Sequence, residues 1–108
     1  MIRTVTPLEA EALLHQEDLD VVDVRDPRDW AAGHIPRARP LPLGEITANA
    51  RTALPHDGVL FVCARGVRSL TAAKAAEAIG FERLYSIEGG TLGWSAAGLP
   101  LVSEGGGI

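Results

Sequence analysis

The sequence predicts a single α/β domain whose mainly parallel sheet is covered by helices on both faces. Short runs rich in β-branched residues alternate along the chain with capped segments of helical periodicity. The 108 residues leave room for one hydrophobic core, and the hydrophobic content of 46% is typical of a globular domain. We expect the domain to occupy residues 1–102 and residues 103–108 to form a flexible tail.

Two helices in the amino-terminal half are predicted to begin at a proline. Thr6-Pro7-Leu8-Glu9 is a capping box, which predicts a helix from residue 7 to about residue 15. Three of its apolar side chains are expected to face inward: Leu8, Ala12 and Leu13. Asp26 precedes Pro27 in the same way, which predicts a short helix that Gly33 ends in a left-handed conformation.

The remaining elements follow from apolar runs and from residues that break them. Three valines within residues 20–24 favour a strand buried on both faces. Residues 36–44 hold three prolines and a glycine, which predicts an irregular connection with at most a short edge strand. The other expected elements are, in order, a helix near 45–53, a strand at 59–62, a helix from Ser69 to Gly80, a strand at 84–87 and a short helix at 91–97.

Charge and cysteine content exclude several classes of function. Ten Lys and Arg against 14 Asp and Glu give a net charge of −4, so we expect neither a nucleic acid nor a membrane partner. The chain lacks an apolar run of the roughly 20 residues that span a bilayer, and a cytoplasmic location is expected. Cys63 is the single cysteine, which rules out an internal disulfide. No two histidines have metal-ligand spacing, so we expect no metal and no cofactor.

The segment Cys63–Ser69 carries the strongest signal for chemistry. It joins a predicted strand to a predicted helix, which is where ligands bind in open α/β sheets. The backbone N–H groups of such a loop converge on an anion, and the helix dipole adds positive charge. Because Arg65 and Arg68 flank the thiol, we expect its thiolate form to be stabilised and nucleophilic. Gly66 supplies the freedom that a tight loop needs, and Ser69 is expected to cap the helix.

Several blocks of the sequence resemble the rhodanese sulfurtransferase family in its single-domain form. The blocks are Val22–Arg25, Asp29 with Trp30–Pro36, Val62–Cys63 with Arg68–Ser69, Gly89–Gly90 with Trp94, and Gly98–Pro100. They cover nearly the whole chain and are specific in combination. The resemblance implies a rhodanese-like fold with about five mainly parallel strands between helices.

The resemblance also implies a two-step reaction on a cysteine. In rhodaneses the thiolate takes the outer sulfur of thiosulfate, releases sulfite, and passes the sulfur from a persulfide to cyanide or a thiol. Cys63 is then the catalytic residue. The implied substrate-binding residues are the rest of its loop: Ala64, Arg65, Gly66, Val67, Arg68 and Ser69. The implied partners are a small anionic sulfur donor and a cyanide or thiol acceptor, including a thiol-bearing protein.

Other residues have structural interpretations or depart from the family pattern. Asp23 and Arg25 are expected to support the site by tying neighbouring loops through buried hydrogen bonds or an ion pair. His34 is interpreted as a structural hydrogen-bonding residue rather than as a base for the thiol. Arg37 and Pro40 stand where the family often has glycine and asparagine, which is expected to alter the rim of the site and its choice of substrate.

Alternatives of two classes, another cysteine-dependent enzyme and a binding or carrier protein, remain open at the level of the sequence. Cysteine-dependent phosphatases also hold an anion in a loop from cysteine to arginine, but they place five residues between the two, whereas Cys63 and Arg68 enclose four. An arsenate reductase would need partner cysteines, which the chain lacks. The remaining alternatives are a regulatory binding module and a partner-dependent persulfide carrier. The carrier would accept sulfur but would turn over poorly with small thiols and cyanide.

Overall fold

A computed structural model describes residues 1–104 and contains a five-stranded sheet between two layers of helices. The elements are β1 Ile2–Val5, α1 Pro7–Gln16, β2 Asp20–Asp23, α2 Pro27–Ala32, β3 Arg39–Pro40, α3 Leu43–Ala48, α4 Ala50–Ala53, β4 Val59–Val62, α5 Arg68–Ala78, β5 Leu84–Ile87 and α6 Gly90–Ala96. The strand order is β1-β5-β4-β2-β3, and every neighbouring pair is parallel. The predicted fold class is confirmed.

Each face of the sheet has its own hydrophobic core. On the α5 face, α3, α4 and α5 cover a core that includes Phe61 and Ala72. On the α1 face, α1 and α6 cover a core that includes Leu60 and Trp94. Every residue of β4 is buried, which explains why this central strand has only apolar residues.

The strand β1 is an element that the residue pattern did not predict. Only Ile2 and Val5 are apolar in it, and Arg3 and Thr4 are exposed. Because β1 lies at the edge of the sheet, backbone pairing with β5 positions it as much as burial does. The strand β3 forms the opposite edge, inside the connection where at most a short edge strand was predicted.

Two predictions about helix ends were wrong. Gly33 follows α2 with a φ of 179°, which is extended backbone and not a left-handed turn. The single helix predicted near 45–53 is divided at Asn49, whose backbone is not helical. The Asn49 side chain instead accepts a hydrogen bond from the backbone N–H of Thr52 and caps α4.

Helix α1 turns a different stripe toward the core than predicted. Ala10 is fully buried and Leu13 is partly buried, but Ala12 is exposed and Leu8 is 62% exposed. The small side chain of Ala10 lets the helix approach the sheet closely on that stripe. Leu8 is therefore on the surface at the first turn of α1.

The chain after α6 folds back onto the segment that follows α2. The backbone groups of His34 and Val102 exchange two hydrogen bonds, of 2.8 and 2.9 Å. Glu104 N–H donates to the carbonyl oxygen of Ala31 at 2.9 Å, so the start of the predicted tail contacts the domain. Residues 105–108 of that tail lie outside the described residues. Within residues 1–104, no helix has the length and apolar character needed to cross a membrane.

Candidate active site

Cys63 lies at the floor of a small cavity at the carboxyl edge of the sheet. It directly follows β4, and the residue is only 2% exposed. The cavity has a volume of about 210 Å³, and its lining residues are Cys63, Ala64, Arg65, Val67 and Arg68. Sites for drug-sized ligands measure about 300–1,000 Å³. This cavity therefore suits a small ion that reaches the thiol.

Residues 63–67, which we call the thiol loop, curl back over the sulfur. The backbone N–H of Gly66 donates to Sγ of Cys63 at 3.0 Å. Gly66 has a φ of 90°, and a Cβ at this position would lie 3.0 Å from the backbone nitrogen of Gly89 and 3.1 Å from the carbonyl oxygen of Ile87. Both the backbone conformation and the available space require glycine here.

The first turn of α6 holds the thiol loop in place. The N–H of Thr91 donates to the carbonyl oxygen of Cys63 at 2.8 Å, and the N–H of Leu92 donates to that of Ala64 at 3.1 Å. Gly90 has a φ of 58°, and a Cβ on it would overlap the carbonyl oxygen of Cys63 and the backbone of Ala64. The Gly89-Gly90 turn thus brings two free N–H groups of α6 against the loop.

A buried chain of hydroxyl groups leads away from the sulfur. The Sγ of Cys63 donates to Oγ of Ser69 at 3.4 Å, and Oγ of Ser69 lies 2.7 Å from Oγ of Ser86 on β5. The prediction that Ser69 caps α5 is wrong: the helix begins at Arg68, no side chain caps it, and Ser69 is fully buried inside it. Its hydroxyl bonds the sulfur and Ser86 instead.

Ser86 is a site residue that the sequence analysis did not identify. It is the one polar-only side chain in the otherwise apolar or aromatic strand Leu84–Ile87, and that isolated polarity was the available signal. In the register between β5 and β4, Ser86 lies opposite Phe61. Phe61 is two residues before Cys63 in the chain. A hydroxyl in a buried strand requires a partner, and here the partner is Ser69.

The pKa of Cys63 lies below the ordinary value of a cysteine thiol. Burial, the largest single influence, raises the pKa. The hydroxyl of Ser69 and the backbone N–H groups of Ser69, Arg65 and Gly66 lower it by more in total, because each stabilises the thiolate. The thiolate is therefore favoured by hydrogen bonds, not by the guanidinium charges that the sequence analysis had invoked.

Arg65 and Arg68 line the cavity with side chains in solvent. Both residues are exposed, and neither forms an ion pair in the part of the chain that the structure describes. Val67 lies between them and is 70% exposed. The mouth of the cavity therefore offers two positive charges to an incoming anion.

The other predicted supporting residues lie across the sheet from the thiol. Asp23 alternates along its strand with Val22 and Val24 of the α5-face core, so its side chain points to the α1 face. Arg25 binds both carboxylate oxygens of Asp23, at 2.7 and 2.9 Å, and also donates to the carbonyl oxygen of Gly33 at 2.7 Å. This buried pair ties β2 to the end of α2, and neither residue lines the cavity.

His34, Arg37 and Pro40 also lie apart from the cavity lining. The Nδ1 atom of His34 lies 2.8 Å from the carbonyl oxygen of Trp30, and the two rings stack with centroids 4.3 Å apart. Arg37 donates to the carbonyl oxygen of Leu14, near the end of α1, and adopts a left-handed φ of 77°. Pro40 belongs to the edge strand β3.

Comparison with known proteins gives this geometry a context. The rhodanese-like domain family matches residues 6–97. Over 85 residues the chain is 36% identical to thiosulfate sulfurtransferase GlpE of Pseudoalteromonas translucida, and the match covers 79% of this chain and 81% of that protein.

Two solved structures extend the comparison. A rhodanese homolog from Thermus thermophilus is 38% identical with a TM-score of 0.67, and the match covers 82% of this chain and 95% of that one. A Rhodopseudomonas palustris protein of unknown function, described as a possible tyrosine phosphatase, is 36% identical with a TM-score of 0.79. That match covers 94% of this chain and 85% of the other. Since the family match spans most of the sequence, this chain belongs to the rhodanese-like domain family.

Proposed function

We propose that this chain is a thiosulfate sulfurtransferase that carries sulfur on Cys63. The Sγ thiolate attacks the outer sulfur of thiosulfate, a new S–S bond forms, and sulfite leaves with the electron pair of the broken bond. Cyanide or a thiolate acceptor then attacks the outer sulfur of the persulfide, and Cys63 returns to its thiolate. Electrons and charge balance in both displacements without an external oxidant.

The observation that carries this proposal is a thiol with a lowered pKa at the floor of a cationic cavity. The Gly66 N–H and the Ser69 hydroxyl stabilise the sulfur anion before any substrate arrives. The same loop amides are positioned to hold the persulfide anion after sulfite has left. Arg65 and Arg68 attract the doubly charged donor and orient its sulfite end toward the mouth.

The test is thiocyanate formation from thiosulfate and cyanide. The wild-type chain is expected to turn over, and Cys63→Ser is expected to have no activity while keeping its far-UV circular dichroism spectrum. Arg65→Gln together with Arg68→Gln should raise KM for thiosulfate roughly tenfold, because two charge-assisted contacts are lost. Sulfur transfer by the serine variant at the wild-type rate would contradict the proposal.

A second measurement separates a free-standing enzyme from a partner-dependent carrier. Both form the same persulfide on Cys63, so the first turnover with thiosulfate is expected to be fast in either case. An enzyme continues at a comparable rate with cyanide or a small thiol as acceptor. A carrier releases one equivalent of sulfite and then stalls until its partner is added.

The description of the Rhodopseudomonas palustris neighbour makes phosphate ester hydrolysis the competing activity to measure. Four residues separate Cys63 from Arg68, and the Arg68 side chain is exposed. We therefore expect hydrolysis of p-nitrophenyl phosphate to stay at the level of the Cys63→Ser control. Cysteine-dependent hydrolysis with no thiocyanate formation would favour the phosphatase instead.

A further inference from the structure

A second cavity lies beside α1 and shares no lining residue with the cavity that holds the thiol, which we now call the thiol cavity. Its volume is also about 210 Å³. Its walls come from the second half of α1, the turn after α2, and α6 with the segment that follows it. We call this space the α1 cavity. The sulfur chemistry proposed for Cys63 makes no use of it.

One part of the wall of the α1 cavity is apolar and fixed in place. It consists of Leu14, Pro36, Trp94 and Pro100, and Trp94 is only 3% exposed. The Nε1 atom of Trp94 donates to the carbonyl oxygen of Pro100 at 2.8 Å, so the only donor of the indole ring is already occupied. A wall of this kind suits a hydrocarbon group and not a bare inorganic ion.

Two opposite charges line the same cavity without pairing. Glu11 and Arg37 are both in the lining, and neither forms an ion pair with any side chain among residues 1–104. The Nη1 atom of Arg37 donates to the carbonyl oxygen of Leu14 at 2.9 Å, which leaves other N–H groups of the guanidinium free. Glu11 precedes Leu14 by about one turn of α1, or roughly 5 Å along the helix. The cavity therefore presents both an acceptor and donors to a ligand.

The backbone of Arg37 indicates that its side chain has a role. Its φ of 77° lies in the left-handed region, and no other residue except glycine has a positive φ within the described part of the chain. Glycine would adopt this conformation without strain. Strained residues of this kind cluster at binding sites, where the surrounding structure holds them. The value of an arginine at this position therefore lies in its guanidinium group.

We propose that the α1 cavity binds a small zwitterion with a hydrocarbon side chain, of the class of the aliphatic α-amino acids. The ligand's carboxylate accepts from Arg37, its ammonium group donates to Glu11, and its side chain packs on Leu14 and Trp94. A simple anion would face the carboxylate of Glu11, and a simple cation would face the guanidinium of Arg37, so neither suits the site. The volume is below the roughly 300 Å³ of the smallest drug-sized sites, which excludes larger ligands. This inference does not depend on the proposed sulfurtransferase function.

The test is a titration of the whole isotope-labelled protein with L-leucine, followed by the amide chemical shifts. The shift changes are expected at residues 11–15, 36–37 and 94–100, around the α1 cavity. Three matched probes each lack one part of leucine: isocaproate lacks the ammonium group, isoamylamine lacks the carboxylate, and glycine lacks the side chain. Each probe is expected to bind about tenfold more weakly than leucine, because each loses one kind of contact.

Two variants of the lining test the assigned contacts. Arg37→Gly removes the guanidinium and relieves the left-handed backbone, so the variant is expected to fold at least as stably as wild type and to bind leucine about tenfold more weakly. Glu11→Gln keeps the size of the side chain and is expected to weaken leucine binding to a similar extent. Arg68→Gln is the matched control, because it removes an exposed arginine of the thiol cavity and should leave leucine binding unchanged.

Several outcomes would overturn the inference. They are a titration without shift changes at millimolar leucine, shift changes confined to the thiol cavity, and equal affinities for leucine and isocaproate. Unchanged leucine binding by a folded Arg37→Gly variant would overturn it as well. All of these measurements are made without a sulfur donor or acceptor, so none of their results bears on the proposed function.

Discussion

The strands β2 and β4 end at the same edge of the sheet, and each has a buried polar group there, but of the two groups only Cys63 lines the thiol cavity. At the end of β2, the carboxylate of Asp23 is occupied by Arg25, which also binds the carbonyl oxygen of Gly33. After β4, Cys63 accepts from an amide on one side and faces open space on the other. The first arrangement is complete as it stands, whereas the second has room for one more atom on the sulfur.

This difference teaches that burial and polarity alone do not identify a reactive group. The Asp23–Arg25 pair is buried like the thiol and more highly charged, yet its charges satisfy each other. The pKa of the thiol is lowered by neutral hydrogen-bond donors that converge on it, not by a paired charge like that of Arg25 on Asp23. A thiolate of this kind can donate its electron pair to a substrate, whereas the carboxylate of Asp23 is already paired.

The largest expected effect is a loss of stability, without a loss of activity, when the ion pair at the end of β2 is broken. Asp23→Asn keeps the shape of the side chain but leaves the Arg25 charge buried without its partner. We expect the free energy of unfolding to fall by about 3 kcal/mol, measured by urea denaturation. The kcat of the molecules that remain folded should stay within about twofold of wild type, since neither residue lines the cavity. A loss of kcat larger than the loss of folded protein would show that this pair takes part in the site.

A second prediction concerns the hold of α6 on the thiol loop. Gly90→Ala forces a Cβ into the carbonyl group of Cys63, and the displaced loop is expected to lose activity about 100-fold. Gly80→Ala is the matched control, because Gly80 also has a positive φ but has open space around it. It should destabilise the fold by about 1 kcal/mol and leave kcat unchanged. Equal activity in the two variants would contradict the positioning role of α6.

The smallest effect tests the hydroxyl chain behind the sulfur. When Ser69 donates to the thiolate, its oxygen accepts from Ser86, so Ser86→Ala weakens that donor and raises the pKa of Cys63. The thiolate fraction at pH 7 then falls, and alkylation by iodoacetamide should slow about fivefold. A factor of about five corresponds to about 1 kcal/mol, the typical contribution of one hydrogen bond. Raising the pH should restore the rate. The exposed Ser95→Ala control should leave the pH profile unmoved.

The elements that the sequence predicted well are those whose signal is local. β4, β5 and the capped start of α1 follow from runs of a few residues, and the structure contains all three. β1 was missed because an edge strand needs few apolar residues when a neighbour supplies its hydrogen bonds. The exposure of Leu8 was missed for a related reason, since the rotation of α1 depends on its packing against the sheet and α6.

The candidate site was predictable in position but not in its electrostatics. The position of Cys63, its loop and the need for glycine at position 66 followed from a strand that leads into a helix. The hydroxyl chain did not, because Ser69 and Ser86 are 17 positions apart and meet only through the packing of α5 on β5. The arginines were expected to lower the pKa of Cys63 because a sequence does not show that both are exposed or that hydroxyl and amide donors reach the sulfur.

The most direct test of the central claim is the intact mass of the protein after incubation with thiosulfate. We predict the addition of one sulfur atom to the wild-type chain, located on Cys63 by peptide mapping, and its removal by cyanide. Under the same conditions Cys63→Ser should gain nothing. A wild-type mass unchanged by thiosulfate would contradict the account, as would a sulfur adduct that forms equally on the serine variant.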